Sequence, residues 1–217
     1  MHPPRHRLIA VEGAIGAGKT SLAARLAEHY GADGLFEKPD ENPFLPRFYQ
    51  EGARHALATQ LFFLFQRVDQ LRELAQLDLF RRGTVADFLL DKDALFARLT
   101  LSAEELTLYN RIFSVLKPQA PRPDLVIFLQ APVPVLQARI EQRGRPYERL
   151  LAEPSRAGYL SSLTEAYNRF FYHYDEAPLL IVNAEHFDFV RRPDDVALLV
   201  EHIAGMRGRR EYFNTEQ

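Results

Sequence analysis

The segment from Leu8 to Tyr30 restricts the possible folds more than any other stretch of the chain. Leu8–Glu12 (LIAVE) is a compact apolar run suited to a buried strand, and Gly13-Ala14-Ile15-Gly16-Ala17-Gly18-Lys19-Thr20 follows it at once. Lys19–Tyr30 then reads as a helix with Leu22, Leu26 and Tyr30 on one face. Strand, glycine-rich octet and helix together match G-x-x-x-x-G-K-[ST] in full. The glycines let the backbone curl, so that amides across Gly13, Ala14, Gly16, Ala17 and Gly18 point at phosphate oxygens. The helix start, through Thr20 and Ser21, adds its partial positive charge. Lys19 is expected to reach the β- and γ-phosphates, and the Thr20 hydroxyl to ligate Mg²⁺. The segment predicts binding of a nucleoside triphosphate.

Four more β-like runs follow: Leu35–Glu37, Thr84–Phe88, Leu125–Gln130 and Leu179–Val182. Helical patterns separate them over His55–Leu79, Ala103–Leu116, Val133–Arg143, Ala157–Tyr174 and Asp194–Met206. Apolar strands alternating with helices predict an α/β fold, a five-stranded parallel sheet flanked by helices on both faces. The 217 residues fit one domain, and no linker divides residues 1–217. The absence of cysteine excludes disulfide frameworks, thiolate metal sites and cysteine nucleophiles. Basic and acidic side chains number 27 and 29, so no positive field draws the chain to nucleic acid or anionic lipid. Met1–Arg7 is a short polar tail, and the longest apolar stretches, Leu61–Phe65 among them, are far below the roughly 20 residues that span a bilayer. A cytoplasmic protein with no membrane and no nucleic-acid partner is expected.

Several classes of triphosphate-binding protein do not fit. A guanine-specific switch needs an Asn/Thr-Lys-x-Asp motif late in the chain, whereas Asp91-Lys92-Asp93 is early and lacks the flanking pattern. Motor-type ATPases end the third or fourth strand in paired acids; of those two strands here, the Thr84 strand carries the single acid Asp87 and the Leu125 strand ends in Gln130.

Four other features, kept in order from about Ile9 to Ile203, resemble the deoxynucleoside kinase family, in particular its bacterial deoxyadenosine and deoxyguanosine kinases. Glu37 is followed by Asp40-Glu41-Asn42-Pro43-Phe44. Tyr49, Gln60 and Arg67 recur at the family's spacing. Arg139-Ile140-Glu141-Gln142-Arg143-Gly144-Arg145, with Glu148 three residues on, looks like an arginine-rich lid at about 139–150. Val182-Asn183-Ala184-Glu185 resembles a loop that cradles the ATP adenine.

The resemblance implies a P-loop kinase fold, ATP and Mg²⁺, a homodimer, and γ-phosphoryl transfer to the 5′-hydroxyl of a small-molecule deoxynucleoside, with a purine preferred. Glu37 is then the general base, while Lys19, Arg143 and Arg145 stabilise the transferring group. Arg139 and Arg143 also hold ATP, and Asp87 joins Thr20 on the Mg²⁺ side. Tyr49 and Glu148 hold the 3′-hydroxyl. Gln60, Arg67 and an acid, Asp91 or Asp93, read the base, and Phe96 stacks on it.

The residues themselves support part of this. Gln60 and Arg67 are seven apart and lie within ~20° of each other on one helix face, with Phe63 between them. An amide and a guanidinium fork are what a base edge requires, though both side chains could equally be solvated. Glu37 could be a surface glutamate or a partner of Lys38, Phe96 a core residue, and the three arginines a solvated helix end. Arg207–Arg210 reads as a solvated tail. One departure stands out: Asp87-Phe88-Leu89 replaces the family's acid-Arg-Ser triplet, and nothing in the sequence says which residue supplies the missing cation. The alternatives are a thymidylate-type nucleoside monophosphate kinase, which would need an arginine near Phe88, and a non-catalytic nucleotide switch.

Overall fold

The computed structural model describes residues 6–76, 83–117, 120–148 and 157–214. Positions 77–79 of the expected long helix and 149–150 of the expected lid lie outside these residues.

The strands are β1 (Leu8–Gly13), β2 (Asp33–Leu35), β3 (Thr84–Ala86), β4 (Leu125–Gln130), β5 (Leu179–Asn183) and β6 (Arg210–Phe213). They form one sheet in the order β2-β3-β1-β4-β5-β6, with every pairing parallel. β1 lies between β3 and β4, with Ala10 opposite both Ala86 and Val126. All residues of β1 and β3 are buried, as are all of β4 except Gln130. Strands buried on both sides need helices on both faces, which is why these runs are apolar throughout instead of alternating.

The helices are α1 (Lys19–Tyr30), α2 (Leu45–Glu51), α3 (Ala56–Gln76), α4 (Asp93–Thr100), α5 (Ala103–Leu116), α6 (Val133–Arg143), α7 (Ala157–His173) and α8 (Pro193–Gly205). α1 packs on β1, β2 and β3 and meets α8, while α3, α4 and α5 pack on one another. The main core joins β1, β4 and β5 to α1, α6 and α7 through Leu22, Leu26, Ile127, Leu136 and Leu163. A second cluster, including Leu64, Val68, Leu71, Phe88 and Tyr109, fixes α3 and α5 over the region after β3. Ser102 and Glu105 cap α5 reciprocally, at 3.3 Å and 3.0 Å, a device that contributes about 1 kcal/mol.

Two expectations are corrected. The sheet has six strands, not five, because residues following Arg207 do not form a free tail. Arg210–Phe213 pairs along β5, with Leu179 opposite Arg210 and Ile181 opposite Tyr212. Arg210 donates to the carbonyls of Phe171 and Tyr174 at 2.9 Å and 2.6 Å, and Arg209 to that of Asp175 at 2.8 Å. β6 is a partly exposed edge strand, so its side chains carry little apolar pattern to announce it. Secondly, β2 stops at Leu35 and β3 at Ala86, so Glu37 and Asp87 stand just beyond their strands. Both therefore project from the carboxyl ends, where open α/β sheets carry ligands.

Candidate active site

Three segments converge beyond the carboxyl ends of β1, β2 and β3. The first is the loop between β1 and α1. Gly16 has φ +88°, and a Cβ there would meet the Leu136 carbonyl at 2.7 Å, so only glycine fits between the loop and α6. Ala17 closes the turn through its N–H to the Ala14 carbonyl at 3.0 Å, and Gly18 lies in the left-handed region just before α1. Lys19 donates from Nζ to the carbonyls of Gly13 and Ala14 at 2.9 Å and 3.4 Å. Burial and then the nearby Lys92 lower its pKa, so an anion at this place would meet an underscreened cation. Ser21 sits in the first turn of α1.

The second segment carries the acids. Thr20 Oγ1 donates to Asp87 Oδ2 at 2.5 Å, while the Glu37 N–H donates to Asp87 Oδ1 at 2.7 Å. Asp87 thus ties the phosphate-binding segment to the second residue after β2. Burial, with Glu37 adding to it, raises the Asp87 pKa. A hydroxyl and a carboxylate placed together are hard oxygen donors, and a small cation that keeps most of its waters needs no more from the protein. The pair fits Mg²⁺.

Glu37 Oε1 accepts from Arg67 Nε at 2.8 Å and Nη2 at 2.5 Å, and lies 2.7 Å from Lys92 Nζ. Burial alone would raise the Glu37 pKa, but Arg67, Lys92 and Lys19 outweigh it and hold the carboxyl well below the usual range. Glu37 is therefore neither a solvated surface glutamate nor a partner of Lys38, which pairs with Glu41 instead.

The third segment is the α3 face. Gln60 and Arg67 are both buried and line one cavity with Phe63, Phe96 and Glu37, so the solvated reading fails for both. Arg67 lies over the Phe63 ring at 4.9 Å. Its Nη1 pairs with Asp93 Oδ1, whereas Asp91 pairs with Lys117. The acid beside Arg67 is thus Asp93. It stands behind Arg67 and outside the cavity wall, and burial pushes its pKa up to about 6 against the pull of that arginine. Phe96 lines the cavity and meets Tyr167 edge-on, at 6.0 Å between centroids.

The lid closes this cavity. α6 ends at Gly144, in the left-handed region, and the chain turns through Pro146–Glu148. Arg143 and Arg145 line the cavity with Tyr49 and Glu148, and approach Glu148 at 2.6 Å and 3.7 Å. Tyr147 stacks on Tyr49 with centroids 5.9 Å apart and donates to Asp40 at 2.7 Å. Burial of Tyr49 raises its hydroxyl pKa well above normal, so it binds as a neutral donor or acceptor. Asn42 of the Asp40–Phe44 segment bonds the Thr59 carbonyl at 3.2 Å, anchoring this wall to α3.

Arg139 is placed differently from its two companions. Its Nη2 donates to the carbonyls of Ala184 and Phe187 at 2.8 Å and 2.9 Å, which ties α6 to the loop after β5. It stays beside the expected adenine loop but away from Glu37 and Glu148. Sequence reasoning missed Lys92 and Glu12. Glu12 is fully buried next to the phosphate loop, and an acid closing an apolar strand that is buried on both faces was the available signal.

A central phosphate loop, an oxygen-donor pair and a half-buried carboxylate lining the adjoining cavity define a P-loop kinase. A profile of the deoxynucleoside kinase family matches residues 9–206. The deoxyguanosine kinase of Bacillus subtilis (strain 168) is 33% identical over 201 residues, covering 90% of this chain and 95% of that protein. The deoxyadenosine kinase of Lactobacillus acidophilus is 29% identical over 194 residues, 85% and 88% of the two chains. Among solved structures, the deoxyadenosine kinase of M. mycoides with bound dCTP superposes with a TM-score of 0.77 at 23% identity, over 92% of this chain and all of the other. The chain belongs to the deoxynucleoside kinase family. It is an ATP-dependent kinase of deoxynucleosides, and the thymidylate-type alternative is not favoured.

Proposed function

We propose that the protein transfers the γ-phosphoryl group of ATP–Mg²⁺ to the 5′-hydroxyl of a purine deoxynucleoside, with Glu37 orienting that hydroxyl and accepting its proton. The observation that carries this reading is the placement of Glu37, whose backbone N–H is tied through Asp87 to the phosphate loop and whose carboxylate is held by Arg67 at the nucleoside cavity. Its three cationic donors all meet Oε1, leaving Oε2 the capacity to accept. Because the carboxyl is a weak base in this setting, proton uptake belongs late in the transfer, and orientation of the hydroxyl is the larger part of its work.

Lys19 and the loop amides would hold the β- and γ-phosphates, and Arg143 and Arg145 would meet charge on the transferring group. Thr20 and Asp87 would hold Mg²⁺, which neutralises phosphate charge when bound. Tyr49 and Glu148 would take the sugar 3′-hydroxyl, while Gln60 and Phe96 would contact the base. The purine preference is supported by the deoxyguanosine and deoxyadenosine kinases that the chain is similar to. A homodimer is supported by Phe65 on α3 and Leu108 and Val115 on α5, large side chains left exposed. The use of ATP favours a cytoplasmic setting. No described helix is long and apolar enough to cross a membrane.

Product analysis tests the reading. ATP with deoxyguanosine or deoxyadenosine should give ADP and the 5′-monophosphate, and the monophosphates should not be accepted. Turnover only with a monophosphate acceptor would overturn it. Glu37→Gln should lower kcat by about 10²–10⁴-fold with a smaller change in nucleoside KM, as loss of a positioned base does.

A further inference from the structure

Glu37 sits in the middle of a chain of alternating charges. Asp93 pairs with Arg67, Arg67 with Glu37, Glu37 with Lys92, and Lys92 with Glu12. Lys92 and Asp93 are neighbours in sequence, at the junction of the Leu90–Lys92 turn and α4. One backbone turn therefore controls both cations that hold Glu37. It does so directly through Lys92, and through Asp93 in the case of Arg67.

Lys92 is 2% exposed, yet it is part of the cavity wall. Its Nζ is 2.7 Å from Glu37 Oε1 and 3.3 Å from Glu12 Oε2, so the closer partner is the carboxylate at the acceptor end. Glu12 does not depend on Lys92 for hydrogen bonds. It accepts from the N–H of Gly13 at 3.0 Å, the N–H of Leu89 at 2.9 Å and the Tyr167 hydroxyl at 3.1 Å. Leu89 directly precedes the turn, so Glu12 fixes the backbone that carries Lys92 as well as its ammonium group. The Gly13 amide opens the phosphate loop, so a single buried acid registers that loop against the cation beside Glu37.

We propose that Lys92, anchored by Glu12, is a positioning residue for phosphoryl transfer that fixes the Glu37 carboxylate in front of the acceptor hydroxyl. The inference rests on the proposed role of Glu37. It also accounts for the departure seen in the sequence. Phe88 is buried in the apolar cluster under α3, and the cation near the strand end comes from five residues past Asp87 instead. A second reason concerns Lys19, whose charge also favours the Glu37 carboxylate. Once triphosphate occupies the loop, that charge is taken up by phosphate, and Arg67 and Lys92 are left to hold Glu37. Arg67 is divided between two carboxylates, so the second cation fixes the remaining freedom of the group.

The test compares Lys92→Met, the double variant Glu12→Gln/Lys92→Met, and Glu37→Gln, each with kcat, both KM values and melting temperature. Lys92→Met keeps the side-chain length but leaves Glu12 short of a cation, and the double variant removes both charges to relieve that. Lys92→Met and the double variant should each lose kcat on the order of 10²-fold, the lower end of what a positioned base supplies, while KM for ATP and nucleoside stays within about threefold. A double variant with wild-type kcat would show that Lys92 only neutralises Glu12 and would overturn the inference. So would a loss confined to KM, or a double variant that does not fold, either of which assigns Lys92 another task. If Glu37→Gln itself keeps kcat, the base assignment fails. If Glu37→Gln is impaired and the double variant is not, only the role of Lys92 falls.

Discussion

Arg67 grips one oxygen of Glu37 with two donors, Nε at 2.8 Å and Nη2 at 2.5 Å, and turns its remaining fork toward Asp93. This arrangement changes what the arginine can do. A guanidinium occupied by two carboxylates has little left to offer a base edge, so its main work is to hold Glu37 at the nucleoside cavity. Phe63 lies under its face, and the guanidinium itself is buried, so its bond to Glu37 is only weakly screened.

Arg67→Ala should therefore weaken turnover with every deoxynucleoside, not only with the preferred one. It should also destabilise the fold by about 3–5 kcal/mol, because it strips the partner from a buried Asp93. Urea unfolding and kcat/KM for several nucleosides measure both effects. Native stability with a loss restricted to one base would return Arg67 to the role of base reader.

Lys19→Ala should nearly abolish turnover and leave the fold intact. Among the described residues its ammonium bonds two loop carbonyls, and the side chain lines the cavity, so no core contact is lost. Circular dichroism and a steady-state assay on the same sample are sufficient. A Lys19→Ala protein with near-normal turnover would remove the phosphate-loop assignment altogether.

What could be read from the sequence divides along a physical line. α1, α5 and α6 match their patterns residue for residue, since caps, glycine stops and apolar periodicity are local signals. The phosphate loop was equally legible, because its glycines and lysine are demanded by one short backbone shape. α2 and α4 were not, being short, and β6 hides its pairing in an arginine-led edge. Within the site, Gln60 and Arg67 declared a shared face, but only the fold shows that Asp93, not Asp91, stands behind Arg67. Lys92 and Glu12 are 80 residues apart, and no spacing rule links them. Charge pairing between a strand and a turn far along the chain is a property of the tertiary fold, which the sequence does not display.

The lid arginines give a graded expectation. Arg143 contacts Glu148 at 2.6 Å and Arg145 at 3.7 Å, and both border the cavity through which phosphate would be transferred. Arg143→Ala and Arg145→Ala should each lower kcat by roughly 10-fold or more, since a charge-assisted bond to phosphate counts most as charge is redistributed. Arg139→Ala should instead act on melting temperature and ATP KM, because that side chain ties α6 to the loop after β5. If Arg143→Ala or Arg145→Ala changes melting temperature alone, that arginine belongs to a solvated helix end.

The last expectation concerns the base. With Arg67 committed to carboxylates, Gln60 is the polar side chain on the α3 face that is free to read an edge. It is 5% exposed, lines the cavity and makes no hydrogen bond among the described residues. The amide faces the cavity with its donor and acceptor free, so it favours any ligand that satisfies both. Adenine offers N7 with its 6-amino group, and guanine offers O6 with N1–H; either makes a paired contact, and Phe96 provides a ring nearby for stacking. A purine fills more of this apolar wall than a pyrimidine does, so deoxyguanosine or deoxyadenosine should give a higher kcat/KM than thymidine. Gln60→Ala should cost the preferred purine about 1–3 kcal/mol in transition-state binding, which is roughly 5- to 150-fold in kcat/KM, and should cost thymidine less. Comparing the four deoxynucleosides on the wild-type protein and on Gln60→Ala reads both effects at once. A wild-type preference for thymidine would show that the base is read by another wall of the cavity, while the kinase itself would stand.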